Sequence, residues 1–154
     1  MSYQKHPSWC APAAVQIALQ IQGVRIGQAR LAHLMNTTED GTDEDEIIRA
    51  LGELNYGIQE FKSRHRGDAR SWLLELAPVM PLILCVDRWE HWVCVAGQCG
   101  DRLWLFDPEL TGLNQNRNGA WALLPKTILK RWCTANRFSD DLGTLYYGIA
   151  ILPR

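Results

Sequence analysis

The sequence lacks the features that would place the chain in a membrane or on a nucleic acid. No run approaches 18 consecutive apolar residues, so no transmembrane helix is predicted. The N-terminus begins with the polar residues MSYQKH, which does not resemble a secretory signal peptide. Sixteen basic and 17 acidic residues give a net charge of -1, without a dense Lys/Arg stripe, which disfavours a nucleic-acid partner. These absences favour a cytoplasmic protein and leave export as an effector open.

The cysteines show neither a disulfide pattern nor a metal-binding pattern. Their odd number and their scatter along the chain predict reduced thiols. There is no CxxC pair, and no two histidines stand at ligand spacing, so we expect neither a metal site nor a cofactor. The acidic stretch NTTEDGTDEDE lacks the ligand spacing of an EF-hand and is better explained as the start of a helix. The five cysteines are Cys10, Cys85, Cys94, Cys99 and Cys133.

The order of the predicted elements indicates an α+β domain with one core, spanning residues 1–154. Helical periodicity comes first and short β-branched or aromatic runs follow, as expected for N-terminal helices packed on a C-terminal antiparallel sheet. Helices are predicted at 10–22 with Gly23 as the end, at 27–35, at 43–55 between Thr42 as cap and Gly57 as end, from Asp68 as cap to Ala77, and at 125–132. Strands are predicted at 58–61 and in LILCVD, HWVCVAG, RLWLFD and TLYYGIAIL.

Cys10 is predicted to lie at the start of the first helix. Pro12 is tolerated only in the first turn of a helix, so the helix must begin close to Cys10. The free N–H groups and the positive end of the helix dipole there would stabilise a thiolate, and they could also hold an oxyanion. Gln4 could add an amide donor if the chain bends back across the helix start. The alternative is that Cys10 is a small apolar residue packed under Trp9 and that Gln4 is solvated.

A nucleophilic thiolate requires a base, and His91 is the best candidate because it opens a predicted strand. If the turn between HWVCVAG and RLWLFDP is centred on Gly100, residues whose numbers add up to 200 face each other. His91 and Asp107 then become diagonal neighbours on one face, and Asp107 can orient the imidazole. A one-residue slip would remove this contact. Glu109 remains an alternative orienting residue, and DP can also simply end a strand.

With these residues in order, the chain resembles the papain-like bacteriocin-processing peptidases, the double-glycine-leader family. The resemblance rests on a Gln followed by five residues and a helix-opening Cys in QKHPSWCAPAA, and on EHWVCVAG followed closely by LWLFDPE; GTDEDEIIRAL also matches. It implies a papain-like fold, a peptide or protein substrate and no cofactor. It also implies roles as oxyanion donor, nucleophile, base and orienting residue for Gln4, Cys10, His91 and Asp107.

The chain departs from the family around the cysteine, where Trp9 and Ala11 replace the usual small polar or acidic residue and glycine. Trp9, Trp89 and Trp92 flank the proposed residues and could line the substrate cleft, or they could fill core. Nothing in the sequence indicates a fused membrane span or an ATPase, so we expect a stand-alone relative. Gln4 lies three residues from the start, so we expect no pro-segment; any inhibitor or regulator is unknown.

The same thioester chemistry could serve other acceptors. An acyltransferase, a transglutaminase-like enzyme or an amidase would use the same residues, because the outcome after acylation depends on the cleft. A binding module with an inactive triad is the third alternative, in which Cys10 would react no faster than the other thiols.

Overall fold

The computed structural model describes residues 3–87, 90–109, 119–132, 134–135 and 144–154. Within these residues there are five helices and seven strands. The helices are α1 (Cys10–Ile21), α2 (Gln28–Leu34), α3 (Glu44–Glu53), α4 (Arg66–Leu76) and α5 (Pro125–Trp132). The strands are β1 (Ile58–Ser63), β2 (Leu82–Val86), β3 (His91–Cys99), β4 (Arg102–Phe106), β5 (Ala120–Leu123), β6 (Thr134–Ala135) and β7 (Thr144–Ile151).

The strands form one antiparallel sheet in the order β1-β7-β2-β3-β4-β5, with β6 paired to β7. The α+β class, the N-terminal helices and the antiparallel sheet are therefore confirmed. The four predicted strand runs and the helix at 125–132 are also present. The short strands β5 and β6 were not predicted, since four and two residues are too few for a clear alternation pattern.

The prediction of one core is wrong, because apolar clusters cover both faces of the sheet. Helices α1, α2 and α3 pack on one face, against residues such as Ile83 and Cys94. Helices α4 and α5 pack on the other face, against residues such as Leu84 and Val93. Strand β2 is buried along its whole length, as expected for a strand covered on both faces.

Several helix boundaries differ from the prediction. Gly23 terminates α1, as predicted. It lies two residues after Ile21 with a φ of 84°, and the next residue, Val24, donates its N–H to Leu19 O. In α3 the left-handed residue after the helix is Asn55, whose φ is 64°. The predicted end at Gly57 is therefore wrong. Asparagine tolerates the left-handed conformation well enough to replace glycine there.

The two predicted helix caps are also wrong. The residue that precedes α3 is Asp43, whereas the Thr42 hydroxyl is hydrogen-bonded to Thr37 Oγ1 at 2.8 Å. Helix α4 begins at Arg66 after His65, so Asp68 lies inside its first turn. In both helices the carboxylates still lie near the N-terminus, where the helix dipole favours negative charge.

The β3–β4 hairpin reaches the predicted register by an unpredicted route. Cys99 pairs with Arg102, so the turn lies between Gly100 and Asp101 and is not centred on Gly100. A bulge between Val95 and Gln98 then shifts the pairing by one residue. Beyond the bulge, Val95 faces Leu105 and Cys94 faces Phe106, in the register that brings His91 to Asp107.

The described residues contain no helix that is both long and apolar enough to cross a bilayer.

Gly97→Ala should destabilise the protein, because Gly97 holds the bulge with a φ of 82°, which costs an L-residue about 1–2 kcal/mol. Gly52→Ala is the matched control, since Gly52 lies on the exposed face of α3, where an added Cβ meets no atom within 4 Å, and it should gain stability from alanine. Urea unfolding measures both free energies. A Gly97→Ala protein as stable as the wild type would show that the bulge does not depend on glycine.

Candidate active site

Cys10 is the first residue of α1, as predicted. Its side chain is 8% exposed, and α1 buries nearly its whole length from Cys10 to Leu19. The N–H groups of the first helical turn have no acceptor within the helix. Trp9, which precedes the helix, provides no side-chain cap. The thiol therefore sits at an uncapped, electropositive helix start.

His91 and Asp107 are hydrogen-bonded to each other in a buried position. The bond from His91 Nε2 to Asp107 Oδ1 is 2.7 Å long, and the two side chains are only 9% and 7% exposed. His91 is the first residue of β3, and Asp107 directly follows β4. Because these strands are antiparallel, both residues lie at the same end of the sheet. His91 and Asp107 are therefore neighbours, as the strand register predicted.

Cys10 interacts with the same imidazole ring, since it is one of the groups that raise the pKa of His91. Since Nε2 is engaged with Asp107, Nδ1 is the ring nitrogen that this bond does not use. His91 therefore has Asp107 as a hydrogen-bond partner, and Cys10 as a second group that influences its charge.

Asp107 is the carboxylate that contacts His91, rather than Glu109. Glu109 donates its backbone N–H to Asp107 Oδ1 at 3.0 Å and so helps to hold that carboxylate. The ligand atoms of His91, Asp107 and Glu109 lie within 4.8 Å of one another, which is a possible metal-binding spacing. His91 and Asp107 already satisfy each other within this group through their short hydrogen bond.

The surroundings of His91 and Asp107 favour the charged form of both side chains. Burial lowers the pKa of His91, but hydrogen bonds and charge interactions with Asp107 and Cys10 outweigh it and raise that pKa to about 9. Burial raises the pKa of Asp107, whereas the bond to His91, the Glu109 N–H and the charge of Arg131 together lower it to about 2. Near neutral pH the ring is therefore an imidazolium between a carboxylate and the thiol.

Gln4 lies beside this end of the sheet but its side chain is turned into its own loop. Its backbone N–H donates to Pro108 O at 2.8 Å. Its side-chain amide donates to His6 O at 3.1 Å and Pro7 O at 2.9 Å, so both amide hydrogens have acceptors. The side-chain oxygen is buried without a hydrogen-bond partner among the described residues. Gln4 could donate to an oxyanion only by exchanging one of these carbonyl contacts.

The three tryptophans have different positions. Trp92 is 5% exposed, packs edge-on against Tyr147 and lines a groove of about 170 Å³ that Cys10 also lines. Trp9 is half-buried, with its ring centroid 5.6 Å from that of His6. Trp89 lies outside the described residues. The remaining groove residues are Asp40, Gly41, Thr42, Asp43 and Glu90.

Sequence reasoning missed two sets of residues that support the site. Gln28 is buried; its amide oxygen accepts from Lys5 N–H and its amide nitrogen donates to Tyr3 O and Gln16 Oε1, which anchors the N-terminal segment. Arg131 forms an ion pair with Asp107 Oδ2 at 2.8 Å. A buried glutamine on an apolar helix face is a weak sequence signal for such an anchor, and nothing in the sequence around Arg131 points to Asp107.

Comparisons with known proteins agree with this architecture. The sequence profile of the Peptidase C39 family matches residues 1–119, a range that contains Gln4, Cys10, His91 and Asp107. The lactococcin-G-processing and transport ATP-binding protein LagD of Lactococcus lactis subsp. lactis is 30% identical over 109 residues. That match covers 69% of this chain and 15% of LagD, so the chain spans only a small part of this curated relative.

Two solved structures share the fold. The peptidase domain of Streptococcus ComA, a bifunctional ABC transporter involved in quorum sensing, has a TM-score of 0.73 at 18% identity, covering 99% of this chain and 97% of that one. A double glycine motif protease from an AMS/PCAT transporter, solved in complex with the leader peptide, has a TM-score of 0.63 at 15% identity, covering 99% and 89%. The family match extends over more than half of the sequence and the fold agrees with it, so this chain belongs to the Peptidase C39 family of cysteine peptidases.

Proposed function

We propose that the protein hydrolyses a peptide bond, with Cys10 as nucleophile, His91 as general acid and base, and Asp107 as orienting residue. The observation that carries this proposal is the buried His91–Asp107 hydrogen bond of 2.7 Å, together with Cys10 at a helix start, where it helps to raise the pKa of the same ring. A peptide or protein substrate is supported by the relatives, which include a lactococcin-G-processing protein and a protease in complex with a leader peptide.

The mechanism follows from the charges of the pair. The Cys10 thiolate attacks the carbonyl carbon, and the electrons of the C=O bond move to the oxygen, which the first N–H groups of α1 and the Gln4 amide stabilise. As the C–N bond breaks, imidazolium Nδ1–H gives its proton to the leaving amine. Neutral His91 next removes a proton from water, whose oxygen attacks the thioester. The Cys10 thiolate leaves, the acid is released, and the ring retains the proton from water.

Alkylation tests the Cys–His pair without a substrate. Cys10 should react rapidly with iodoacetamide below pH 7, and should lose most of this advantage in His91→Ala, because the neighbouring positive charge is gone. Mass spectrometry under reducing conditions gives the rate at each cysteine, with exposed Cys99 as internal reference. His33→Ala is the matched control, since His33 is exposed on α2. A Cys10 that reacts no faster than Cys99 would favour the inactive binding module.

Gln4→Ala should lower kcat/KM by about 10²- to 10³-fold, the usual cost of one oxyanion donor. Alkylation of Cys10 forms no oxyanion, so its rate should stay at the wild-type value in the same variant. This pair of measurements separates loss of oxyanion stabilisation from displacement of Cys10. Gln20→Ala, which changes an exposed glutamine of α1, is the control. An unchanged kcat/KM in Gln4→Ala would remove Gln4 from the mechanism.

The titration of His91 should depend on Asp107. In the wild type the His91 ring should deprotonate with a pKa of about 9. Asp107→Asn should lower that pKa, because asparagine carries no negative charge to stabilise the imidazolium against the effect of burial. A pKa raised in the folded state contributes stability that is present below about pH 6.5 and is lost as the pH rises through about 9. NMR of the ring protons measures the pKa directly. An unchanged value in Asp107→Asn would mean that Asp107 does not stabilise the imidazolium.

A further inference from the structure

The guanidinium of Arg131 bridges two carboxylates, one of which is the hydrogen-bond partner of His91. It contacts Asp107 Oδ2 at 2.8 Å, and it contacts Asp87 through Nη2 at 3.0 Å and Nε at 3.3 Å. Arg131 comes from α5, on the face of the sheet opposite the face covered by α1. The side chain is about two-thirds buried, at 31% exposure, and the Asp107 side chain is almost fully buried.

Arg131 also holds Asp87, the residue that follows β2. Asp87 directly follows β2, whose last residue, Val86, pairs with His91. Asp87 has a φ of 54°, a conformation that is unfavourable for most L-residues. Its backbone N–H points to Arg131 O at 3.5 Å, in addition to the two side-chain contacts. One residue of α5 therefore holds both the turn before His91 and the carboxylate that contacts His91.

The three partners of Asp107 leave its carboxylate little freedom. Oδ1 accepts from His91 Nε2 and from the Glu109 N–H, and Oδ2 is bonded to Arg131. A carboxylate that loses its Oδ2 partner can rotate about its terminal torsion, which is broad for aspartate. The direction of the His91 ring would then no longer be fixed from that side.

We propose that Arg131 is a positioning residue of the active site, which holds Asp107 and the turn at Asp87 so that His91 keeps its alignment with Cys10. This inference rests on the proposed function, since it assigns Arg131 a role through Asp107. Arg131 does not line the groove beside Cys10, so it should influence turnover and not substrate binding.

The first test compares kcat with KM. Arg131→Gln should lower kcat by roughly 10-fold, less than the 10²-fold cost of a 1 Å misplacement of reacting groups, and should leave KM unchanged. Arg131→Lys should recover part of the loss, because lysine keeps the charge and loses the planar fork. Lys130→Gln removes an exposed charge from the same helix turn and should retain wild-type kcat. A wild-type kcat in Arg131→Gln, or a change confined to KM, would overturn the proposal.

A double-mutant cycle separates this role from general destabilisation. Asp107→Ala should leave partial activity, and adding Arg131→Gln to it should lower kcat by no more than about twofold further, because residues that act through one another are not additive. A second 10-fold loss in the double variant would overturn the proposal. Wild-type activity of Asp107→Ala alone would instead contradict the proposed triad. If Arg131→Gln does not fold, Asp87→Asn removes the negative charge and one of the two acceptor oxygens at the outer contact of the guanidinium, and should show a smaller kcat loss in the same cycle.

Discussion

The antiparallel pairing of β3 with β4 determines whether the site can form. His91 opens one strand and Asp107 follows the other, so the register alone decides whether their side chains meet. A shift of one residue would turn Asp107 to the opposite face of the sheet. The bulge between Val95 and Gln98 makes this shift once, and it does so before the paired strands reach the site. The chemistry at one end of the sheet is therefore set by backbone geometry near the other end of the hairpin.

Burial at this end of the sheet makes the charges interdependent. An isolated buried imidazolium or carboxylate would lose its charge, because desolvation favours the neutral forms. Here each charge has an opposite partner: His91 faces Asp107, and Asp107 also faces Arg131. Arg131 is in turn paired with Asp87 at the partly exposed edge. The ion pairs thus run from the partly exposed Asp87 to the buried ring of His91.

The sequence could predict those parts of the site that depend on local pattern. Pro12 marks the helix start, so the position of Cys10 followed from one residue type. Strand alternation and a glycine turn were sufficient to relate His91 to Asp107. The turn position was nonetheless wrong by half a residue, and the agreement at the site depends on a bulge at Gly97 that a lone glycine in a strand only suggests.

Other parts depend on packing between distant segments and left no local signal. Arg131 reaches Asp107 only because α5 packs on the face of the sheet opposite α1. The amide of Gln4 is bound by two carbonyls of its own loop, a choice between local and active-site partners that sequence spacing cannot reveal. Asn55, which replaces the expected glycine at the end of α3, shows the same limit for a backbone conformation.

The three layers explain how the site can be aligned before a substrate binds. Cys10 is held by the layer of α1, α2 and α3. Helix α1 is buried along nearly its whole length and cannot shift without disrupting its packing on the sheet. Asp107 is held from the other layer through Arg131, and His91 lies at the strand end between them. Gln28 and Pro108 bind the backbone of residues 3–5, which keeps Gln4 close to this end. Because Cys10, His91 and Asp107 are held by packed elements, we expect little reorganisation of these three residues as charge develops, which is where fixed dipoles and charges contribute most, whereas the Gln4 amide must first exchange a carbonyl contact.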